Sequence, residues 1–152
     1  LEIETIRDSE IEPMSNLLIR TSQLIGTTIA GEEIPRAIDE LPLIALLGCY
    51  AKGQTIVRDA QELRVKESNR IDAIISVLGA MGAKINATED GFVVEGGHTL
   101  TGTLLDGQMD HRIGILAAIA GALAENETEV INDAVSISYP TFWNTLKKVA
   151  QV

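Results

Sequence analysis

Ile71, Ile74, Ile75 and Leu78 recur at i, i+3, i+4 and i+7, the spacing of a buried helical face, and predict an amphipathic helix running to about Met81. Two other stretches, 41–51 and 111–124, are apolar on nearly every side. A helix of that kind must be covered on several sides, which puts both inside the domain with sheets around them. Asp39 is the predicted N-cap of the first, with Pro42 tolerated in its opening turn and Gly53 as its left-handed C-terminal cap. Shorter runs read as strands: 1–7, about 16–21, 26–30, 55–58, 83–87 and 92–95. The first two form a hairpin across a turn at 8–12, and the last two form another around Glu89-Asp90-Gly91. An isolated hairpin is marginal in water, so the first should join a sheet.

The pattern then recurs. Gly26-Thr27-Thr28-Ile29-Ala30-Gly31 is echoed by Gly102-Thr103-Leu104-Leu105-Asp106-Gly107, 76 residues on, and Thr55-Ile56-Val57-Arg58-Asp59-Ala60 by Glu129-Val130-Ile131-Asn132-Asp133-Ala134, 74 residues on. Each lies between a mostly apolar helix and a second, capped helix. One repeated βαβαββ unit accounts for this, with residues 25–98 as a full unit, 99–152 as the last unit and 1–24 as the closing strands of an earlier one.

Composition narrows the function classes. The 152 residues are 45% hydrophobic and 22% charged, those of a globular chain with a real core. Net charge is −10, which argues against a general nucleic-acid or membrane-surface role. The longest mostly apolar run, 113–124, is too short to span a bilayer, and no basic signal segment stands at Leu1. The single Cys49 lies in an apolar helix and reads, with Tyr50, as a core residue of a protein in a reducing, cytoplasmic compartment.

Against that acidic background one cationic stretch stands out: Leu63-Arg64-Val65-Lys66-Glu67-Ser68-Asn69-Arg70-Ile71. Ser68 or Glu67 can cap the helix that follows. Arg70 then falls in the first turn, where the helix dipole is positive and an exposed cation costs about 0.3–1 kcal/mol. A bound anion would compensate, held by free backbone N–H groups together with Lys66 and Arg70. A solvated charge run, with Arg64 and Glu62 as a surface pair, fits the spacing equally well. In the repeat scheme Asp39, the 66–70 segment and Asp110-His111-Arg112 all sit at helix starts, and a rotation between units would bring those ends together.

Glu62-Leu63-Arg64-Val65-Lys66-Glu67-Ser68-Asn69-Arg70-Ile71 closely resembles the signature of the EPSP synthase (5-enolpyruvylshikimate-3-phosphate synthase) family. Ile38-Asp39-Glu40-Leu41-Pro42, Asp110-His111-Arg112-Ile113 and Ser138-Tyr139-Pro140-Thr141-Phe142 fit the same family in the same order. The resemblance covers nearly the whole chain but only the C-terminal third or so of such an enzyme. It implies an α+β fold of three βαβαββ units, with buried helices covered by sheets in an inside-out α/β barrel, two of the three units being present here. It also implies transfer of the enolpyruvyl group of phosphoenolpyruvate to the 5-hydroxyl of shikimate 3-phosphate, with release of phosphate.

By motif match, Lys66, Arg70 and Arg112 fall on positions that hold phosphoenolpyruvate, and His111 lies beside that site, though it reads equally as a solvent-facing helix start. Asp39 matches a carboxylate that contacts the shikimate hydroxyls and serves in proton transfer, and Glu67 matches the other catalytic carboxylate. Asp110 reads as a cap. No metal or other cofactor is implied. The missing partner is the enzyme's N-terminal domain, without which the fragment is expected to be inactive, to bind such anions weakly and to self-associate. Three positions depart from the family's commoner residues: Met109 in place of Gly, Asn69 in place of Asp, and Ile137 where some members carry Lys. A sister transferase acting on UDP-N-acetylglucosamine shares the fold, but the Arg64–Ser68 string favours the first reading. A non-catalytic anion-binding module is the alternative of another class.

Overall fold

The stripe at 71–78 folds as its spacing dictates. Helix α3 (Arg70–Ala80) buries Ile71, Ile74, Val77 and Leu78 completely or nearly so, with Ile75 at the margin of the same core. Burying each of these side chains contributes about 1.5–3 kcal/mol. The structure is a computed structural model that describes residues 2–7 and 14–150; the turn expected at 8–12 lies outside the described residues.

The fold is α+β. Strand β1 (Glu2–Arg7) pairs antiparallel with β2 (Met14–Leu18). Then β3 (Thr28–Ile29), a short α1 (Glu33–Ala37), α2 (Leu41–Tyr50) and β4 (Gln54–Val57) form a crossover in which β3 and β4 run parallel, Thr28 opposite Ile56. After α3, the hairpin β5 (Lys84–Ala87) and β6 (Phe92–Glu95) returns beside β4 and completes a sheet of order β3-β4-β6-β5. A second parallel crossover follows: β7 (Leu104–Asp106), α4 (His111–Leu123) and β8 (Glu129–Ile131), with Leu104 opposite Glu129, and then α5 (Phe142–Ala150). Matching contacts close the two crossovers. The Gly26 N–H donates to the Lys52 carbonyl, and the Gly102 N–H to the Glu125 carbonyl.

Helices α2, α3 and α4 pack on one another, β4 and β6 cover α2, β5 covers α3, and β7 and β8 lie against α4. The helices are therefore internal and the sheets external. Leu41, Leu46, Ile74, Leu78, Phe92, Val94, Ile113 and Leu116 meet in one core. Phe92 and Val94 point inward and Glu95 outward, the period of a half-buried strand. Helix α4 comes so close to the turn after β8 that a Cβ on Gly114 would lie 2.1 Å from the Asp133 carbonyl oxygen. Only glycine allows that approach.

Several expectations change. The apolar helices are not covered all round. Leu47 on α2 is 53% exposed because its stripe faces an open groove with Ile25, Ile29 and Ile44, and Leu123 ends α4 56% exposed. Tyr50 is not core: it stands at the rim, and its hydroxyl donates to the Leu123 carbonyl at 3.2 Å. The β1–β2 hairpin joins neither of the other sheets, and every residue of β2 is exposed. The two-residue β3 offers a short edge for such pairing. Gly53 does not cap α2. Ala51 does, extended, with its N–H on the Gly48 carbonyl, while Gly53 takes φ of +91° in the turn into β4. Helix α1 and a 3₁₀ turn at Gln61–Val65 escape sequence reading because neither spans two full helical periods.

Candidate functional site

The first turns of α2, α3 and α4 converge on Arg70. Although it is the first residue of α3, its side chain is 2% exposed. Its Nε donates to Asp110 Oδ2 at 2.9 Å, Nη1 to Asp39 Oδ1 at 2.9 Å and Nη2 to Glu67 Oε2 at 2.6 Å. The dipole penalty for a cation in a first turn is thus offset by the chain's own carboxylates, where the sequence pointed to an external anion. Burial by itself lowers the pKa of this guanidinium, but the hydrogen bonds and charges of Asp110, Asp39 and Glu67 outweigh it and raise the pKa.

Asp110 is fully buried. It is the N-cap of α4, accepting the Arg112 backbone N–H at 2.9 Å, and it also accepts the Ser68 hydroxyl at 2.9 Å. Burial disfavours its charged form. The hydrogen bonds from Arg70, Ser68 and the Arg112 N–H prevail and hold its carboxyl below the usual carboxylate range. Arg112, in the first turn of α4, is more open at 31% side-chain exposure. Its Nη1 donates to Glu40 Oε1 at 2.9 Å and its Nη2 to Asp39 Oδ2 at 3.4 Å, so Asp39 bridges the two arginines.

Two N-cap assignments are corrected by this geometry. Asn69, not Ser68 or Glu67, caps α3, its side chain accepting from the Asp72 N–H at 3.4 Å. Ser68 and Glu67 are drawn to Asp110 and Arg70, which are buried and need partners. Asp39 is not the cap of α2; Glu40 holds that position, without a side-chain capping bond, because both carboxylates face arginines.

Asp39, Glu67, Arg70 and Arg112 therefore meet. Lys66 lies in the bend before α3 and pairs with Glu62, four residues back, not with the cluster's carboxylates. Arg64 is accordingly not Glu62's partner: it reaches the Glu89 and Thr88 carbonyls and Asp72, tying this bend to the β5–β6 turn. His111 is half-buried at the start of α4, between Asp110 and Arg112 in the chain. Met109 stands at φ +56° after Gln108 at +53°, a left-handed conformation that glycine favours. Tyr139, Phe142 and Trp143 stack edge to face at 5.8 and 5.4 Å, with Phe142, the first residue of α5, buried. A cleft of about 350 Å³ lined by Ala118, Val130, Trp143 and Leu146 shares no residue with the Arg70 cluster, and the polar chemistry lies in the cluster, not the cleft.

Two members of the cluster escaped the sequence reading of the site. Asp110 looked like an ordinary cap, and nothing local shows that a cap is buried. Glu40 carried no signal beyond its place beside Asp39. The Glu67–Arg70 contact was legible as an i, i+3 pair of opposite charges.

The family model for EPSP synthase (3-phosphoshikimate 1-carboxyvinyltransferase) matches residues 4–146. The chain belongs to the EPSP synthase family. It is 47% identical to the 3-phosphoshikimate 1-carboxyvinyltransferase of Brevibacillus brevis over 152 residues, covering 99% of this chain and 36% of that protein. The Bacillus cytotoxicus relative of the same name is 47% identical over 147 residues, 96% of this chain and 35% of that protein. Among solved structures, an EPSP synthase from Acinetobacter baumannii superposes with a TM-score of 0.89 at 32% identity, covering 98% of this chain and 35% of that one. The chain thus spans about a third of the length of these EPSP synthase relatives. Among the described residues, no helix is long and apolar enough to cross a membrane.

Proposed function

We propose that the chain forms the phosphoenolpyruvate side of the active site of a 3-phosphoshikimate 1-carboxyvinyltransferase. The observation that carries this reading is the junction at Arg70, where Asp39 and Glu67, each about half exposed, are held against two arginines at converging helix starts. Arg is suited to the task because its planar fork meets two oxygens of a carboxylate or phosphate at once. Arg112 and Lys66, both partly exposed, together with the charge of Arg70, would hold the phosphate and carboxylate of phosphoenolpyruvate, with His111 beside them.

Enolpyruvyl transfer needs one proton to leave the 5-hydroxyl of shikimate 3-phosphate as it attacks C2, and one to reach C3. The tetrahedral adduct then expels phosphate as its C3 methyl gives up a proton, which restores the carbon–carbon double bond of the enolpyruvyl group. Asp39 and Glu67 are the groups that carry those protons, Asp39 also contacting the shikimate hydroxyls. The arginines stabilise the anions on either side of the step, and each carboxylate keeps a cation within hydrogen-bond distance while its proton is away.

The partner in this reading is the rest of the enzyme, including an N-terminal domain that brings most shikimate 3-phosphate contacts. Residues 25–98 and 99–152 are taken as a full and a last βαβαββ unit and 1–24 as the end of an earlier one; the two parallel crossovers support this. The exposed Leu17, Leu18, Ile19, Ile25 and Leu47 support self-association of the chain, which sedimentation velocity measures.

The deciding experiment replaces the matching third of the Brevibacillus brevis enzyme with this chain. Phosphate release from phosphoenolpyruvate and shikimate 3-phosphate is the expected result. A folded chimera that turns over neither would overturn the assignment, and turnover only with UDP-N-acetylglucosamine would favour the sister transferase.

A further inference from the structure

We propose that Glu40 is an internal competitor for the anion at Arg112, a carboxylate that pairs with Nη1 of the guanidinium and leaves when an oxyanion binds. The inference rests on reading Arg112 as an anion ligand. Glu40 holds the N-cap position of α2, a place that the short side chains of Ser, Thr, Asp and Asn favour, and makes no side-chain capping bond there. It crosses instead to an arginine 72 residues away, Oε1 lying 2.9 Å from Arg112 Nη1.

The geometry shows what the contact blocks. A carboxylate or phosphate uses the two Nη atoms of arginine together. On Arg112 each already gives a hydrogen bond to a carboxylate of the chain, Nη1 to Glu40 at 2.9 Å and Nη2 to Asp39 at the longer 3.4 Å, so an incoming anion meets two negative charges there. Glu40 makes the shorter of these two contacts and, with its side chain 56% exposed, is free to withdraw into solvent. Arg70 differs. With 2% of its side chain exposed and Asp110 on its Nε, it stays fixed. Arg112 is therefore the adjustable member of the pair, and Glu40 sets how readily it accepts an anion. The ligands it admits are oxyanions that span both nitrogens, such as a carboxylate or a phosphoryl group.

An exposed pair of this kind is weak, so freeing Arg112 should tighten anion binding about two- to fivefold. The test titrates phosphoenolpyruvate into the 152-residue chain and into Glu40→Gln, Glu40→Asp and Arg112→Gln variants. Glu40→Asp keeps the charge but shortens the side chain. Both Glu40 variants are expected to bind more tightly than wild type. Tightening in Glu40→Gln alone would mean that charge, not the contact, matters, and would overturn the proposal, as would no tightening in either.

Unchanged binding in Arg112→Gln would instead overturn Arg112 as the ligand and leave the rest of the cluster to carry the functional reading. Where calorimetric heats are small, inorganic phosphate followed by NMR gives the same decision. The Glu40 carboxyl carbon and the Arg112 Nε–H should shift together. A shift of Arg112 without Glu40 overturns the competitor role, and no shift at either residue overturns both readings.

Discussion

Arg70 and Asp110, forty residues apart, are joined Nε to Oδ2 at 2.9 Å with side chains 2% and 0% exposed. Their bond ties the start of α3 to the start of α4 and fixes the guanidinium that orients Asp39 and Glu67. Removing one partner of a buried ion pair strands the other and costs about 3–5 kcal/mol. Asp39 and Glu67 still face Arg70, so Asp110→Ala should lose about 3 kcal/mol by urea unfolding. Asp110→Asn, which can still accept the Arg112 N–H, should lose less than Asp110→Ala. Equal losses would mean that the cap contributes nothing.

The same carboxylate predicts the acid limb of stability. Its folded pKa lies below the unfolded value of about 3.9, so its stabilisation is fully present above that pH and is lost as pH falls through the lower, folded value. Urea midpoints should therefore drop on acidification below about pH 4, and Asp110→Asn should drop less steeply. An identical acid slope in the variant would remove Asp110 as the cause.

Burial pushes the Cys49 thiol up to about 11, only partly opposed by its backbone hydrogen bonding. The side chain is 1% exposed, and Sγ donates to the Ala45 carbonyl at 3.4 Å. Both thiolate and access are lacking. At pH 8 a disulfide reagent should leave the folded chain unmodified and titrate one thiol after unfolding in urea. Rapid labelling of the native chain would contradict this environment.

Met109, at φ +56° and 66% exposed, holds a backbone conformation that disfavours side chains in the turn leading to Asp110. Met109→Gly relieves that strain but frees the unfolded chain, a net gain of up to about 1 kcal/mol. Thermal denaturation measures it. A destabilised variant would show that the exposed Met side chain contributes packing.

Glu67→Gln, placed in the Brevibacillus brevis chimera, should lower kcat by about 10²–10⁴-fold with a smaller change in KM, the signature of a lost proton-transfer group. A rise in KM alone would make Glu67 a binding residue. The 152-residue chain by itself should bind phosphoenolpyruvate without releasing phosphate from it, since holding both substrates together supplies about 7–11 kcal/mol of such a barrier.

Local rules were enough for much of this protein. The 3.6-residue stripe fixed α3, the all-apolar runs fixed α2 and α4 as internal, and Glu89-Asp90-Gly91 placed the β5–β6 turn, because periodicity and turn chemistry act over a few residues. The long signature around Lys66–Arg70 pointed to the candidate site for the same reason: its residues are neighbours in sequence. What only the tertiary structure decided is who pairs with whom. Asp110 reaches Arg70 across forty residues, and Glu40 reaches Arg112 across 72. A cap, a surface carboxylate and a buried counter-ion look alike in one dimension. Burial distinguishes them, because a desolvated guanidinium must gather carboxylates wherever the fold brings them near. That demand drew Asp39 and Glu67 away from helix capping, the buried Asp110 carboxylate took the Ser68 hydroxyl, and Asn69 was left to cap α3.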